Sequence, residues 1–207
     1  MKVCIVIPVY NESRQIGEIV KKIKARGLDI VVIDDGSTDH SYTLARDNGA
    51  VVIAHPAKQG KGVSLRDGFS YAVTHGFDGV VAMDGDGQHA IEDIDIFIQK
   101  VQHESCSVIS GNRMLDPKAM PFVRRWVNRF MSFIISSICH QSIPDSQCGF
   151  RFISTDVLKS INLTSTEFEI ETEVLVKAAR KGFKISSVPI QTIYRDEFSK
   201  INPWTDT

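Results

Sequence analysis

The first half of the chain repeats one unit, in which a short apolar run is followed by a polar loop and then by a stretch with helical spacing. The apolar runs predict strands, and the spaced stretches predict helices that end near Gly27, Gly49 and Gly76. The predicted strands cover residues 3–7, 30–33, 51–54, 80–83 and 108–109. Strands that alternate with helices form a mostly parallel sheet with helices on both faces. The predicted fold class is therefore α/β.

Two carboxylates follow the fourth predicted strand, at Asp84 and Asp86, with only Gly85 between them. Side chains two residues apart on an extended chain point the same way, so both can converge just past the strand. Two carboxylates this close repel each other unless a cation lies between them. With Gln88 as a further oxygen ligand, the set suits Mg²⁺ or Mn²⁺ better than zinc. An ordinary Asp-Gly surface turn is the alternative.

Polar loops also follow the first two predicted strands, at residues 10–12 and 34–35. The carboxyl ends of parallel strands share one edge of the sheet, and open α/β sheets bind their ligands there. We therefore expect these loops and Asp84 to line one crevice, with a metal-bridged diphosphate as the ligand. Gly85 and Gly87 also match a dinucleotide fingerprint, but the aspartate between them would repel a bare pyrophosphate.

The second half of the chain contains one strongly amphipathic stretch, residues 122–138. At helical spacing, aromatic and aliphatic residues fill one side, and the other side carries Arg124, Arg125 and Arg129. Two interpretations stay open. The helix packs its apolar side into the core and exposes a basic face, or it lies on a membrane with its arginines toward lipid phosphates. After it we predict a strand over residues 148–153, a helix over 169–181 and a last strand over 184–193.

The composition excludes several classes of protein. With 207 residues, 43% of them apolar, the chain can bury one sizeable core, and a formal net charge of -1 gives no general attraction to nucleic acid. The four cysteines show no C-x-x-C spacing, so neither a disulfide framework nor a zinc cluster is indicated. The longest nearly apolar run is too short to span a bilayer, and no signal peptide opens the chain. We predict a cytoplasmic protein that binds no nucleic acid.

Several stretches, taken together and in order, resemble the family-2 glycosyltransferases, and most closely the polyprenyl-phosphate (dolichyl-phosphate mannose synthase-like) branch. The matching pieces span nearly the whole chain: Ile7-Pro8-Val9-Tyr10-Asn11-Glu12, Val32-Ile33-Asp34-Asp35-Gly36-Ser37-Thr38-Asp39, Gly60-Lys61-Gly62, Asp84-Gly85-Asp86-Gly87-Gln88, Gly111-Asn112-Arg113, Asp145-Ser146-Gln147-Cys148-Gly149-Phe150-Arg151, and Arg195 with Ser199-Lys200. Two departures are Lys58, where the family often has asparagine, and a spacing from Arg195 to Lys200 that is one residue short.

The resemblance implies a Rossmann-like GT-A fold in a single domain over residues 1–207. It also implies inverting transfer of a sugar from a UDP- or GDP-sugar, with Mg²⁺ or Mn²⁺ as the cofactor. Residues 1–112 would bind the nucleotide sugar, and residues 113–207, with the amphipathic helix near 121–139, would bind the acceptor. The residues that match the family's nucleotide-sugar-binding positions are Pro8, Tyr10, Glu12, Asp35, Asp84, Arg195 and Lys200, and those that match its metal motif are Asp84, Asp86 and Gln88.

The predicted acceptor is a polyprenyl phosphate, which places the enzyme at the inner face of the cytoplasmic membrane. An acceptor phosphate is already an anion and needs cations such as Arg113 to guide it, not a general base. A saccharide hydroxyl is the alternative acceptor, and that reaction needs a base, for which Asp145 is the candidate. The predicted catalytic residues are therefore Asp86, Arg113 and Asp145. A non-catalytic nucleotide-sugar-binding protein is a third hypothesis, which the intact metal motif disfavours.

Other polar residues near these motifs have less specific interpretations. Residues 60–62 lack the spacing of a Walker loop and are predicted to form a flexible loop near the donor, not a phosphate cradle. Asp34 is predicted to support its turn. His89 is either a metal neighbour or a supporting polar residue. Glu169 and Glu171 are either exposed helix charges or part of the site.

Overall fold

The computed structural model describes residues 1–104, 106–115 and 120–193. Within these ranges one sheet contains seven strands: β1 (Val3–Val9), β2 (Asp29–Asp34), β3 (Val51–Ala54), β4 (Gly79–Ala82), β5 (Val108–Asn112), β6 (Arg151–Ser154) and β7 (Ile185–Pro189). The α-helices of the same ranges are α1 (Ile16–Ala25), α2 (Ser41–Asp47), α3 (Lys61–Thr74), α4 (Ile94–His103), α5 (Phe122–Cys139), α6 (Thr155–Ser160) and α7 (Ile170–Arg180). A short 3₁₀ turn (Ile91–Asp93) precedes α4. The predicted α/β class is confirmed.

The strand order across the sheet is β3-β2-β1-β4-β6-β5-β7. Neighbouring strands run parallel except at β6, which is antiparallel to both β4 and β5. The mostly parallel sheet is therefore confirmed, with differences in the second half. Strand β6 begins at Arg151, not at residue 148, and β7 ends at Pro189, not at residue 193. Helix α6 was not predicted, because six residues are too few to show a helical period.

The sheet separates two apolar cores. Along β1, Ile5 and Ile7 belong to the core that α1 and α4 cover, whereas Cys4 and Val6 belong to the core that α3, α6 and α7 cover. Because helices cover both faces, the central strands have no solvent side, and their sequences are continuous apolar runs. These buried strands hold the loops at their carboxyl ends in fixed positions.

The chain leaves β1 toward β2 and β3 on one side and returns to β4 on the other side of β1. The carboxyl ends of β1 and β4 therefore form a topological switch point, where open α/β sheets have their ligand crevice. The loop after β1 and the acidic loop after β4 are neighbours there: a Cβ added at Gly85 would lie 3.0 Å from the Cγ2 atom of Val9. The loops that the sequence predicts to line a crevice therefore lie at this switch point.

Helix α5 confirms the predicted helix but contradicts the interpretation that its apolar side packs into the core. Trp126 and Phe130 are 61% and 63% exposed, and further exposed apolar residues on this helix are Phe122, Val123, Val127, Phe133 and Ile138. The residues that the helix buries are Asn128, Ser132, Ile135 and Cys139. An apolar helical face therefore lies on the surface. Within the described ranges, no helix is both long and apolar enough to cross a membrane.

Candidate active site

The acidic loop after β4 is held by a lysine from another part of the chain. Lys61 Nζ lies 2.6 Å from Asp84 Oδ1, and His89 Nε2 lies 3.5 Å from Asp84 Oδ2. Burial favours the neutral carboxyl, but Lys61 and His89 outweigh burial and lower the pKa of Asp84 well below its usual range. Asp84 is therefore a charged group with a cationic partner already in place.

Lys61 connects Asp84 to a second carboxylate. It is the first residue of α3, and its Nζ atom also lies 2.7 Å from the Oε1 atom of Glu171, near the start of α7. Burial disfavours the ammonium, but the two carboxylates outweigh this effect and raise the pKa of Lys61. Of the two acids left open by the sequence, Glu171 lies at the site, whereas Glu169 is exposed.

In the segment 60–62, the backbone N–H groups of Gly60 and Gly62 already donate to other parts of the protein, which disfavours a phosphate cradle there. The backbone N–H groups of Gly62 and Val63 both donate to the carbonyl oxygen of Thr166. The predicted flexible loop is instead the closely packed start of α3, where a Cβ at Gly60 would lie 2.4 Å from that same oxygen. The sequence signal at Gly60-Lys61-Gly62 was present, but the role of Lys61 depends on partners far away in the chain.

Gly149 forms the floor under the three charged groups. A Cβ at this position would lie 2.8 Å from Glu171 Oε1, 3.1 Å from Asp84 Oδ2 and 3.3 Å from Lys61 Nζ. Any larger residue would push into the charged cluster. Glycine is therefore required at position 149 for a steric reason: the backbone passes too close to the charged groups for a side chain to fit.

Asp86 differs from Asp84 because no ion pair joins it to a lysine, arginine or histidine among the described residues. Its Oδ1 atom accepts a hydrogen bond of 2.9 Å from the backbone N–H of Gln88. Burial raises the pKa of Asp86, and repulsion from the neighbouring carboxylate of Asp84 raises it further. Such a pair, with the side-chain oxygen of Gln88 nearby in the chain, suits a hard divalent cation that prefers oxygen ligands.

The described residues contain no group of three or more His, Cys, Asp or Glu side chains that could hold a metal ion. A divalent cation here would therefore take few ligands from the protein and most from elsewhere, as Mg²⁺ does when it binds phosphates. His89 is next to the pair and is buried, and its Nδ1 atom has no hydrogen-bond partner within the described structure. The donor chemistry fits Mg²⁺ or Mn²⁺.

Asp35, a predicted nucleoside ligand, has its carboxylate engaged within the protein. It is 4% exposed, accepts hydrogen bonds of 2.8 and 2.9 Å from the N–H groups of Gln59 and Gly60, and lies 2.7 Å from His55 Nδ1. The other ring nitrogen of His55 lies 2.9 Å from Asp67 on α3. This network fixes the segment that leads into Lys61, so in this structure Asp35 positions the start of α3.

The same network predicts a pH dependence of stability. Burial lowers the pKa of His55, but two carboxylates face it, those of Asp35 directly after β2 and of Asp67 on α3. Together they outweigh burial and raise the pKa above 6.5. The stabilisation by protonated His55 is therefore complete below pH 6.5 and is lost as the pH rises through the raised pKa. Asp35 has the opposite pH dependence, because its pKa is lowered. Its contribution to stability is lost only when the pH falls into the acid range.

We expect the unfolding temperature to fall as the pH rises above 6.5, and we expect His55→Gln to flatten this part of the profile. Thermal unfolding followed by circular dichroism across the pH range measures the effect. His103→Gln, which replaces an exposed histidine on α4, is the control and should keep the wild-type profile. An unchanged slope in His55→Gln would contradict the assignment.

Arg113 and Asp145, two of the predicted catalytic residues, form an ion pair in which Asp145 is buried and Arg113 is partly buried. Arg113 donates from Nε and Nη2 to the two carboxylate oxygens of Asp145 at 2.8 and 2.9 Å, and its backbone N–H also donates to Oδ2. Asn128 of α5 donates to Oδ1 at 3.0 Å. Burial would raise the pKa of Asp145, but Arg113 outweighs it and lowers the pKa. With 0% of its surface exposed, Asp145 is placed to orient Arg113, not to accept a proton from a substrate.

The loop that carries Asp145 is fixed from both sides. Ser132 of α5 accepts a hydrogen bond from the Ser146 N–H, and Arg151 of β6 donates to the Ser146 carbonyl at 2.6 Å. Arg151 also donates to the Glu171 carbonyl. Burial lowers the pKa of this guanidinium. Because Arg151 binds backbone oxygens, it joins β6, the Asp145 loop and α7 into one rigid wall.

The remaining predicted nucleoside ligands lie at the end of β1. Pro8 is within β1 and half-buried, and Tyr10 is exposed, with Lys58 Nζ lying 4.9 Å from the centre of its ring. The Glu12 N–H donates to Ser41 Oγ at 2.8 Å. Asp34 accepts from the Ser37 N–H, so its predicted role in the turn is confirmed. Arg195 and Lys200 lie outside the described residues.

The arrangement of the sheet and its helices is that of the GT-A glycosyltransferases. One solved structure of this kind is glucosyl-3-phosphoglycerate synthase from Mycobacterium tuberculosis in complex with Mn²⁺, UDP and glucosyl-3-phosphoglycerate. It superposes with a TM-score of 0.73 over 95% of this chain and 72% of its own, at 17% identity. At this identity the likeness concerns the fold alone, and it confirms the predicted GT-A type.

The family follows from the sequence match. Residues 4–161 match the family model described as Glycosyl transferase family 2. The chain belongs to this family and is a glycosyltransferase. It is 30% identical to the UDP-N-acetylglucosamine–dolichyl-phosphate N-acetylglucosaminyltransferase of Methanococcus voltae, over 93% of this chain and 86% of that protein. It is 26% identical to the undecaprenyl-phosphate mannosyltransferase of Micrococcus luteus, over 95% and 85%. The predicted resemblance to the polyprenyl-phosphate branch is confirmed.

Proposed function

We propose that this enzyme transfers a sugar from a nucleoside diphosphate donor to a polyprenyl phosphate, with inversion at the anomeric carbon and with a divalent cation bound at the acidic loop. The family membership and the names of the two relatives support this class of reaction. The crystals of the Mycobacterium tuberculosis synthase contained Mn²⁺ and UDP, which supports a metal-dependent UDP-sugar site as the first donor to test.

On the donor side, Asp84, Asp86 and Gln88 would hold the cation. When bound, Mg²⁺ or Mn²⁺ stabilises the negative charge that develops on a departing diphosphate. The donor enters at the switch point between β1 and β4, where Tyr10 offers an exposed ring for stacking. Pro8, Glu12 and Asp35 complete the proposed nucleoside wall, with Asp35 holding the wall in place from behind through its contacts with residues 59 and 60.

On the acceptor side, the observation that carries the proposal is the burial of Asp145. A hydroxyl acceptor must lose a proton to a general base, and the candidate base is enclosed, ion-paired to Arg113 and hydrogen-bonded to Asn128. A phosphate acceptor needs no base. Arg113, held rigidly by Asp145, can guide such an anion, with Arg195 and Lys200 as the proposed further cations.

The proposed reaction is a single displacement. A phosphate oxygen of the acceptor attacks the anomeric carbon and forms a new carbon–oxygen bond, while the bond from that carbon to the diphosphate oxygen breaks. The electron pair of the broken bond leaves with the nucleoside diphosphate, and no proton transfer is required. Asp86 and Arg113 are the residues of this chain proposed to act on the reacting phosphates, and Asp145 acts through Arg113.

The exposed face of α5 is proposed to contact the membrane in which the acceptor lies. Apolar and basic residues share this helix: Trp126 and Phe130 are exposed, and so are Arg124 and Arg129. An apolar face with arginines beside it suits the boundary between acyl chains and anionic head groups. The opposite side of α5 carries Asn128, which binds Asp145, so the helix would bring the acceptor site close to the lipid surface. The proposed location is therefore peripheral, at the inner face of the cytoplasmic membrane.

The donor half of this proposal is tested by a panel of UDP- and GDP-sugars. We expect one nucleotide sugar to raise the unfolding temperature when Mn²⁺ or Mg²⁺ is present and to have little effect in EDTA, because the diphosphate binds through the cation. The matching nucleoside monophosphate is the control, since it lacks the diphosphate. The stabilising donor is then offered with a short-chain polyprenyl phosphate or with a free saccharide, and product is quantified by mass spectrometry. Transfer to the saccharide alone would reject the phosphate acceptor.

A further inference from the structure

The charged cluster beside the acidic loop contains one lysine between two acids. Lys61 is ion-paired both to Asp84 and to Glu171, and Asp86 lies two residues after Asp84 in the chain. Lys61 is the cation in contact with Asp84 at 2.6 Å, and a metal ion that used Asp84 would therefore meet an ammonium at one of its ligands.

We propose, on the basis of the metal-dependent function above, that Lys61 acts as an internal counter-cation that holds Asp84 in the metal-free enzyme and passes to Glu171 when the divalent ion binds. Lys61 is then a positioning residue that sets the affinity for metal. It competes for Asp84 until the metal, together with the donor diphosphate, outweighs it.

Glu171 explains why this exchange does not leave a buried charge unpaired. An isolated ammonium in a shielded site is strongly unfavourable, so a lysine that lost its only partner would resist the loss. Lys61 has a second partner at 2.7 Å, and both side chains are largely shielded, with 15% and 14% of their surfaces exposed. Gly149 leaves space at the point where the three groups meet. The ammonium can therefore move away from Asp84 and still keep Glu171 as its partner.

The test measures the affinity for Mn²⁺ alone, from the electron paramagnetic resonance signal of free Mn²⁺ during titration of the protein. Removing an ammonium that touches a metal ligand removes a competing charge, so we expect Lys61→Met to bind Mn²⁺ about tenfold more tightly, or better. Glu171→Gln should bind it more weakly, because Lys61 then has only Asp84 as a partner. The double variant Lys61→Met/Glu171→Gln removes one charge of each sign and should also bind more tightly than wild type.

The double variant is included because Lys61→Met alone leaves the carboxylates of Asp84 and Glu171 without their cation and could unfold the protein. Replacing Glu171 as well removes one of these two unpaired charges. Lys58→Met is the matched control. It removes the same charge from the preceding loop, where the ammonium lies over the ring of Tyr10, and it should leave the Mn²⁺ affinity unchanged.

The outcomes separate this inference from the proposed function. Tighter Mn²⁺ binding in both variants that lack Lys61, with Lys58→Met unchanged, supports the exchange. Equal or weaker binding in the folded double variant overturns the exchange and leaves the metal site intact. If neither wild type nor any variant binds Mn²⁺, with or without UDP, then the metal-dependent function and the exchange both fail.

Discussion

Replacement of Asp86 by asparagine is expected to reduce turnover about 1,000-fold or more, because it removes the carboxylate proposed to bind the cation that stabilises the leaving diphosphate. The fold should survive. Asp86 lies on a loop, is only partly buried and accepts one backbone hydrogen bond, which asparagine can also accept. The substitution also ends the repulsion with Asp84, so the metal-free variant should unfold at the same temperature as wild type or at a higher one.

Turnover at saturating donor and thermal unfolding, measured on the same preparation, check this prediction. The control is Asp95→Asn, which removes an exposed carboxylate of α4 that pairs with Arg26 and lies away from the site. The control should keep its activity. If Asp86→Asn retains wild-type turnover at saturating donor, Asp86 is not a metal ligand, and the proposed mechanism loses its main residue.

The double replacement Trp126→Glu/Phe130→Glu on α5 is expected to abolish sedimentation of the protein with vesicles that contain anionic lipid. Binding would then place the two new glutamate carboxylates in the apolar layer of the membrane, where charged groups are unfavourable. Replacing the basic residues of α5 tests the same contact and is expected to weaken vesicle binding without abolishing it. Each contributes about 1 kcal/mol near an anionic surface, so replacing Arg124, Arg125 and Arg129 by glutamine should weaken binding about 100-fold.

Both sets of variants should bind donor as wild type does, because within the described residues no hydrogen bond or ion pair joins the replaced side chains to Asp84 or Asp86. Tyr42→Glu places a charge on another exposed aromatic residue and is the control for vesicle binding. High salt should release the wild-type protein. If the wild-type protein stays in the supernatant at low salt, α5 does not bind lipid, and a saccharide in solution becomes the better acceptor hypothesis.

Much of this architecture could be predicted from the sequence, because the signals were local. The first five strands were recognised as apolar runs, since strands buried on both faces have no polar alternation. Asp84 and Asp86 were recognised because residues two apart in an extended chain lie on the same side. Their position beyond β4 followed from the rule that parallel sheets bind ligands at the carboxyl ends of their strands.

Helix α5 shows the limit of a periodic pattern. The spacing determined that residues 122–138 form a helix with one apolar side, but not which side would meet the protein. In the structure the protein takes the side with Asn128 and Ser132, because their polar groups bind the buried Asp145 loop. The aromatic side therefore lies outside, against the usual expectation for a globular domain.

The sequence by itself determined the α/β class, the family and the acidic loop, since each is carried by residues adjacent in the chain. Only the tertiary structure decided that Lys61 joins Asp84 to Glu171, a residue 110 positions away, and that Asp145 lies buried against Arg113 instead of facing a substrate. The physical reason is that a charged side chain takes its function from the charges and the burial around it. Those neighbours come from strands and helices distant in sequence, and the folding of the sheet brings them together.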